Sequence, residues 1–201
     1  MKQESHRRLA RYLLDLTPQI KRRLVCCRAF LIGCSLPDYN LFTYLRGFPK
    51  SVGAWGHSRP YSERICLQTL ARLHKSGVRR VWDFYALGAL MHYLADSFTH
   101  PHTQAFKGGL RLHNAYECAL RTCFPACIRA AKHKRLPSPP TDPEVFLRTA
   151  YAAYERHKPD PRNDGRFVLF VCGMIYLSIL KENKKKSIRN QIKMAKISKN
   201  E

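Results

Sequence analysis

The chain has 201 residues, with 36 Lys plus Arg against 14 Asp plus Glu, a formal net charge of +22. That length suits one domain, or one domain and a tail, and 45% hydrophobic residues are enough to build an ordinary core, which excludes disorder throughout. The longest nearly uncharged apolar stretch, 167 to 180, is 14 residues, short of the about 20 that a helix needs to cross a bilayer. Near the start, residues 9 to 16 are broken by Arg11 and Asp15, and residues 24 to 34 by Arg28. Neither has the uninterrupted apolar run of an export signal. The expectation is a protein that begins at Met1 in the cytoplasm, where a reducing compartment keeps its eight cysteines as core thiols.

In chain order the pattern is helical. Ser5 is placed to cap a helix whose Leu9, Tyr12, Leu13 and Leu16 fall on one face. Pro18 ends that stripe, and Ile20, Leu24, Cys27 and Leu31 begin another that runs to Gly33, before a turn at 34 to 38. Residues 47 to 60, with three glycines and two prolines, read as loop. Helices are predicted over about 62 to 75, 78 to 98 and 110 to 132, the last bent where Pro125 removes an amide donor. Thr141 faces Glu144 across Asp142 and Pro143, a capping-box start for a further helix after a proline-rich linker. The last helix spans about 166 to 180. The predicted architecture is all-α, a single bundle-like domain of about six or seven helices over 1–180. A basic tail follows over 181–201, with eight Lys or Arg and two Glu.

Chemistry concentrates in LGALMHYLADSFTHPHT, residues 87 to 103. His92 and Asp96 stand four apart on one helical face, and His100 and His102 follow as the helix ends. Downstream, HNAYE supplies a second four-residue pair, His113 and Glu117. Adjacent helical turns present an imidazole and a carboxylate on the same side, which suits metal binding, although any one such pair is more often a polar helix face. Asp96 lies among apolar and aromatic neighbours, where an unpaired carboxylate would be costly.

These segments resemble the zinc-dependent phospholipase C family. FYALGALMHYLADSFTHPH and HNAYE carry the likeness, supported by IGCSLPDYN at 32 to 40 and by Ser5-His6 opening the first helix. The resemblance implies an all-helical bundle holding two or three zinc ions. His57, His92, Asp96 and Asp38 would bind one zinc, and His102, His113 and Glu117 a second. Asp96 would bridge to a third, bound by His6 and by the backbone of the first residue, here Met1 where the family has tryptophan. His100 itself reads either as a spare polar residue or as an outer partner that orients a ligand.

The function expected on this basis is phospholipase C-like hydrolysis of a phospholipid head group, with a zinc-bound hydroxide as nucleophile and Asp38 as ligand or general base. Two alternatives stay open: a zinc nuclease acting on single-stranded nucleic acid, which the charge of +22 would attract, and a non-catalytic basic metal-binding protein. The tail adds an expected peripheral contact with an anionic membrane or nucleic acid.

Overall fold

The computed structural model describes residues 1–36 and 59–197, leaving out the side chains of 59–62 and 182–197. Secondary structure among the described residues is entirely helical. In order these are α1 (Gln3–Asp15), α2 (Pro18–Lys21), α3 (Leu24–Ser35), α4 (Arg59–Ser76), α5 (Val81–Ser97), α6 (Leu110–Lys132), α7 (Pro143–Glu155) and α8 (Pro161–Ile197). A single 3-10 turn, His100–His102, separates α5 from α6.

The all-α class agrees with the sequence pattern, while several helix ends differ from it for local reasons. Ser5 does not cap α1: Lys2, in extended conformation, precedes the helix, and Ser5 is buried inside its first turn with its N–H bonded to Lys2 O at 2.8 Å. The stripe from residue 20 to 33 divides into two helices, because the chain closes a tight turn at Arg23, whose N–H reaches Ile20 O at 2.9 Å. The cap of α7 is Asp142 rather than Thr141; its carboxylate accepts from the N–H groups of Glu144 and Val145, both at 3.0 Å. Pro125 sits inside α6 and cannot donate to the carbonyl of Arg121. That carbonyl accepts from Arg8 Nη1 at 3.3 Å instead, so the lost bond ties α1 to α6. At the end of α4, Gly77 adopts a left-handed conformation (φ 78°) and its N–H caps Leu73 O.

The centre of the bundle is the crossing of α3 and α5. Gly33 lies against Tyr85 and Ala89, and Gly88 against Phe30 and Cys34; a Cβ at Gly33 would stand 2.1 Å from Tyr85 O and one at Gly88 2.2 Å from Phe30 O. Residue 30 meets 88 and residue 34 meets 92, so the two helices run parallel. Both begin at one pole of the molecule and end at the other. α8 runs the opposite way: Asp164, near its start, bonds the N–H of His100, Cys172 packs beside Met91, and Tyr176 lies against Phe30 and hydrogen-bonds Thr17 at 2.7 Å. Phe30, Phe84, Phe98, Phe124 and Tyr176 fill the space between these helices, together with five buried cysteines.

α8 begins earlier and ends later than its apolar run suggests. Residues Pro161–Lys181 are long and apolar enough to cross a membrane by length and hydropathy alone, yet 67% of the best window is buried inside the protein. Its apolar character is accounted for by the core.

The glycine crossing leaves no room for a side chain. Gly88→Val should destabilise the fold by about 1–3 kcal/mol or more, as overpacking does in tight cores, read as a lower midpoint in urea denaturation. An unchanged midpoint would mean that α3 and α5 do not approach this closely.

Candidate metal centre

α5 is apolar on nearly all sides, so it is buried nearly all round, and its last turns carry His92 and Asp96 inward rather than to solvent. α1 starts beside them with His6 and the α-amino group of Met1. The turn after α5 contributes His102, and the first turns of α6 contribute His113 and Glu117. Four segments of the chain thus meet at one pole.

The convergent groups form two adjacent triads. In the first, His6 Nε2 lies 3.2 Å from Asp96 Oδ1 and His92 Nε2 lies 3.3 Å from Asp96 Oδ2, with the His6 and His92 rings stacked at 3.9 Å. In the second, His102 Nε2 and His113 Nε2 each lie 3.2 Å from Glu117 Oε1. Within each triad one ligand atom per residue falls within 4.8 Å of the others. The Met1 ammonium joins the two: it is 2.5 Å from Asp96 Oδ1, 3.0 Å from Glu117 Oε1 and 3.3 Å from His102 Nε2. Lys2 Nζ stands at the rim, 3.6 Å from Glu117 Oε2.

Burial and neighbouring charge together set the protonation of these groups. It pulls His6 down to about 3, with the neighbouring His92 acting in the same direction, so the imidazole is neutral near pH 7 and its lone pair is available. Burial also lowers His102. For Asp96 and Glu117 burial would raise the pKa, but the ammonium and the surrounding histidines outweigh it and hold both carboxyls well below the usual range. Burial opposes the charge of the Met1 amine too, yet Asp96 and Glu117 prevail and raise it to about 10.

Two features test whether such a set fits zinc. Neither ring nitrogen of His6 makes an aligned hydrogen bond, although the side chain is wholly buried; an imidazole so placed is costly unless its lone pair finds an electrophile. His92 Nδ1 lies 3.0 Å from the carbonyl of Cys34, which can only accept, so the proton sits on Nδ1 and Nε2 presents its lone pair to the cluster. Neutral imidazoles with one carboxylate per triad are a zinc donor set. The residues fit the metal.

A family comparison decides the class. The profile of the family described as zinc dependent phospholipase C matches residues 5–163. The chain belongs to the zinc-dependent phospholipase C family. No curated protein and no solved structure shows a significant match to it. Membership agrees with the helical fold, and with the two triads it supports a zinc-dependent, phospholipase C-like function at the coarse level.

Of the residues singled out from the sequence, His6, His92, Asp96, His102, His113 and Glu117 come together, with the Met1 amine among them. Asp38 and His57 lie outside the described residues. His100 does not join the cluster: its ring meets Thr103, Phe106 and Tyr116. Its backbone is what matters, because its N–H donates to Asp164 at 2.8 Å.

Asp164 itself escaped the sequence reading. It is buried and also accepts from Tyr116 at 2.7 Å and Tyr154 at 2.9 Å. Burial raises its pKa, against these three donors. It thereby ties the turn that delivers His102 to the residue just before Glu117, and both to α8. The available signal was one acid and a glycine opening an apolar helix, too common to single out.

Two expectations follow from this geometry. Zinc content by elemental analysis should fall by at least one ion per chain in Asp96→Asn, since an amide oxygen is a poorer ligand than a carboxylate; unchanged content would remove Asp96 from the ligand set. Asp164→Ala strands two tyrosine hydroxyls and should cost about 2 kcal/mol in denaturant unfolding, while weakening zinc affinity about tenfold through loss of the outer support. Wild-type affinity in that variant would confine Asp164 to a role in the core.

Proposed function

We propose that this protein is a zinc-dependent phosphodiester hydrolase that cleaves the head group of a phospholipid in the manner of phospholipase C. The observation that carries the reading is the pair of His-carboxylate triads side by side at one pole, the first buried and the second partly buried, in a chain of the zinc-dependent phospholipase C family. His92 and Asp96, with Asp38 and His57, would hold one zinc ion, and His102, His113 and Glu117 another. His6 and the Met1 amine, where Met1 is the first residue, would serve a third that shares Asp96. Zinc held there would supply an activated water and neutralise charge on the phosphoryl group.

The chain's own residues prepare that chemistry. The Cys34 carbonyl fixes the tautomer of His92, and Asp164 fixes the turn that presents His102. Asp38, following α3 by only a few residues, is assigned the role of general base or open-site ligand. At the rim, Leu110 and Leu112 are exposed beside the half-buried His113, with exposed Lys107 and Arg111 in the same stretch of chain. Aliphatic surface with cations around it suits a phospholipid, with the cations facing phosphate and the leucines facing acyl chain. Phe106, in the segment before α6, packs edge-on against His100 and His113, so its face is not offered to a stacked base, which favours lipid as the substrate. We place the domain boundary near residue 180, with the basic segment beyond it outside the catalytic bundle, and the protein in the cytoplasm.

With zinc loaded, the wild-type chain should hydrolyse phosphatidylcholine or a generic phosphodiester, and Asp38→Asn should reduce the rate by about 100-fold or more while circular dichroism and most of the zinc are retained. Cleavage of single-stranded nucleic acid but no phospholipid would assign the site to a nuclease. Cleavage of neither would leave a metal-binding protein without hydrolytic activity.

A further inference from the structure

The pole opposite the metal centre has a composition that neither the fold nor the hydrolytic site requires. α3 and α5 both begin there, and their starts are joined: Arg23 donates to Arg79 O at 3.4 Å and its guanidinium lies over the Phe84 ring. Four large apolar side chains stand out from these two helix starts into solvent: Trp82 (77% exposed), Leu24 (70%), Val25 (64%) and Val81 (40%). Around them Lys21, Arg22, Arg23, Lys75, Arg79 and Arg80 are all exposed. The nearby carboxylates are already engaged. Asp83 accepts the N–H groups of Arg79 and Arg80, and Asp15 pairs with Lys21 and Lys132.

α8 adds to the same pole. Because it runs antiparallel to α5, its C-terminal end leaves the bundle where α3 and α5 begin, and the helix continues to Ile197. In sequence, residues 181–201 carry eight Lys or Arg against two Glu. An exposed tryptophan and three aliphatic side chains inside a ring of cations gain nothing from burial within this protein, and they are costly in water. They fit a surface that is anionic at its face and apolar beneath it.

We propose that this pole docks on an anionic phospholipid bilayer, with Trp82, Leu24, Val25 and Val81 entering the interfacial layer and the surrounding arginines and lysines meeting lipid phosphates. Nucleic acid would match the cations, and a base could stack on Trp82, but it offers no counterpart for the three aliphatic side chains. Along α5, the 14-residue step from Trp82 to Asp96 corresponds to about 20 Å of helix rise. The docked bilayer therefore stays clear of the metal centre, which faces the aqueous side or an apposed surface. Retention at the membrane and hydrolysis are separate properties of opposite poles, and the docking stands whether or not the proposed hydrolytic function does.

The test uses the full-length, zinc-loaded chain with phosphatidylcholine vesicles lacking or containing phosphatidylserine. Binding should require phosphatidylserine and weaken with salt. The double variant Trp82→Gln, Leu24→Gln should bind at least about tenfold more weakly, and Arg22→Gln and Arg79→Gln about fivefold each. Hydrolysis of a soluble, short-chain phosphodiester, if the wild type shows it, should be unchanged in all of them. These side chains are exposed, so circular dichroism should match the wild type. Independently of any variant of the pole, Trp55→Phe leaves Trp82 as the one tryptophan of a chain that has two, and its fluorescence should shift to the blue and be quenched by brominated acyl chains on docking. The proposal is overturned if vesicles do not bind, if neutral vesicles bind equally, if Trp82 is not quenched, or if single-stranded nucleic acid binds in preference. Binding that the Trp82 and Leu24 substitutions leave intact would also overturn it and assign the attraction to the tail alone.

Discussion

The burial of Asp96 is the constraint on which the rest of this molecule turns. A carboxylate almost wholly withdrawn from water, on a helix otherwise made of apolar residues, is untenable without cationic or electrophilic partners. The chain brings four groups to it from three directions, His92 from the preceding turn of the same helix, His6 and the Met1 ammonium from α1, and His102 from the turn beyond, of which the ammonium is the cation and the imidazoles are ligands for an electrophile. Glu117 repeats the arrangement at the edge, sharing the ammonium with Asp96. The packing of α1 and α6 beside α5 is thus coupled to the electrostatics of the site, because moving either helix away would leave a buried charge without its partners.

The parallel crossing of α3 and α5 is what makes the cluster geometrically possible. With glycine at 33 and 88 the backbones approach closely enough for the Cys34 carbonyl to reach the His92 ring. A larger residue at the crossing would push α3 outward and release that ring to turn. The constraint is one of backbone contact in the core, yet its consequence is the choice of tautomer at a ligand. Asp164 works in the same way from the other side, where one buried carboxylate holds the 100–102 turn, α6 and α7 in register with α8.

How much of this was legible in the sequence depended on the range of the interaction. His92 with Asp96 and His113 with Glu117 were readable because a helix converts a spacing of four into a shared face. The companionship of His6 with Asp96, residues far apart in sequence, was accessible only through family resemblance, and the stacking of His6 on His92 was not expected, since no local rule links the start of α1 to the end of α5. Asp164 gave no usable signal: its partners are a backbone amide and two tyrosines on three other segments. Helix ends were displaced by competition among neighbouring caps. Asp142 outcompeted Thr141 because its carboxylate satisfies two backbone amides at once, and α1 starts two residues before Ser5, with Lys2 in extended conformation ahead of it. Asp38 and His57 lie outside the described residues, so their place in the site rests on the sequence alone.

The excess of positive charge acquires a direction in the fold. At the metal pole, among the described residues, the Met1 ammonium and Lys2 reach the carboxylates and are committed to Asp96 and Glu117. At the far pole the helix starts of α3 and α5 gather arginines whose neighbouring acids are occupied with backbone amides and lysines. Helix direction makes this arrangement unfavourable on one count and informative on another. A helix N-terminus carries partial positive charge and prefers acidic neighbours, and α3 has no acidic residue in its first turn at all. Cations crowded at two parallel helix starts repel both the dipoles and one another, a cost that folding does not recover. An external anionic surface would relieve dipole and side-chain repulsion together, so the same feature that weakens the isolated chain would strengthen its hold on a partner.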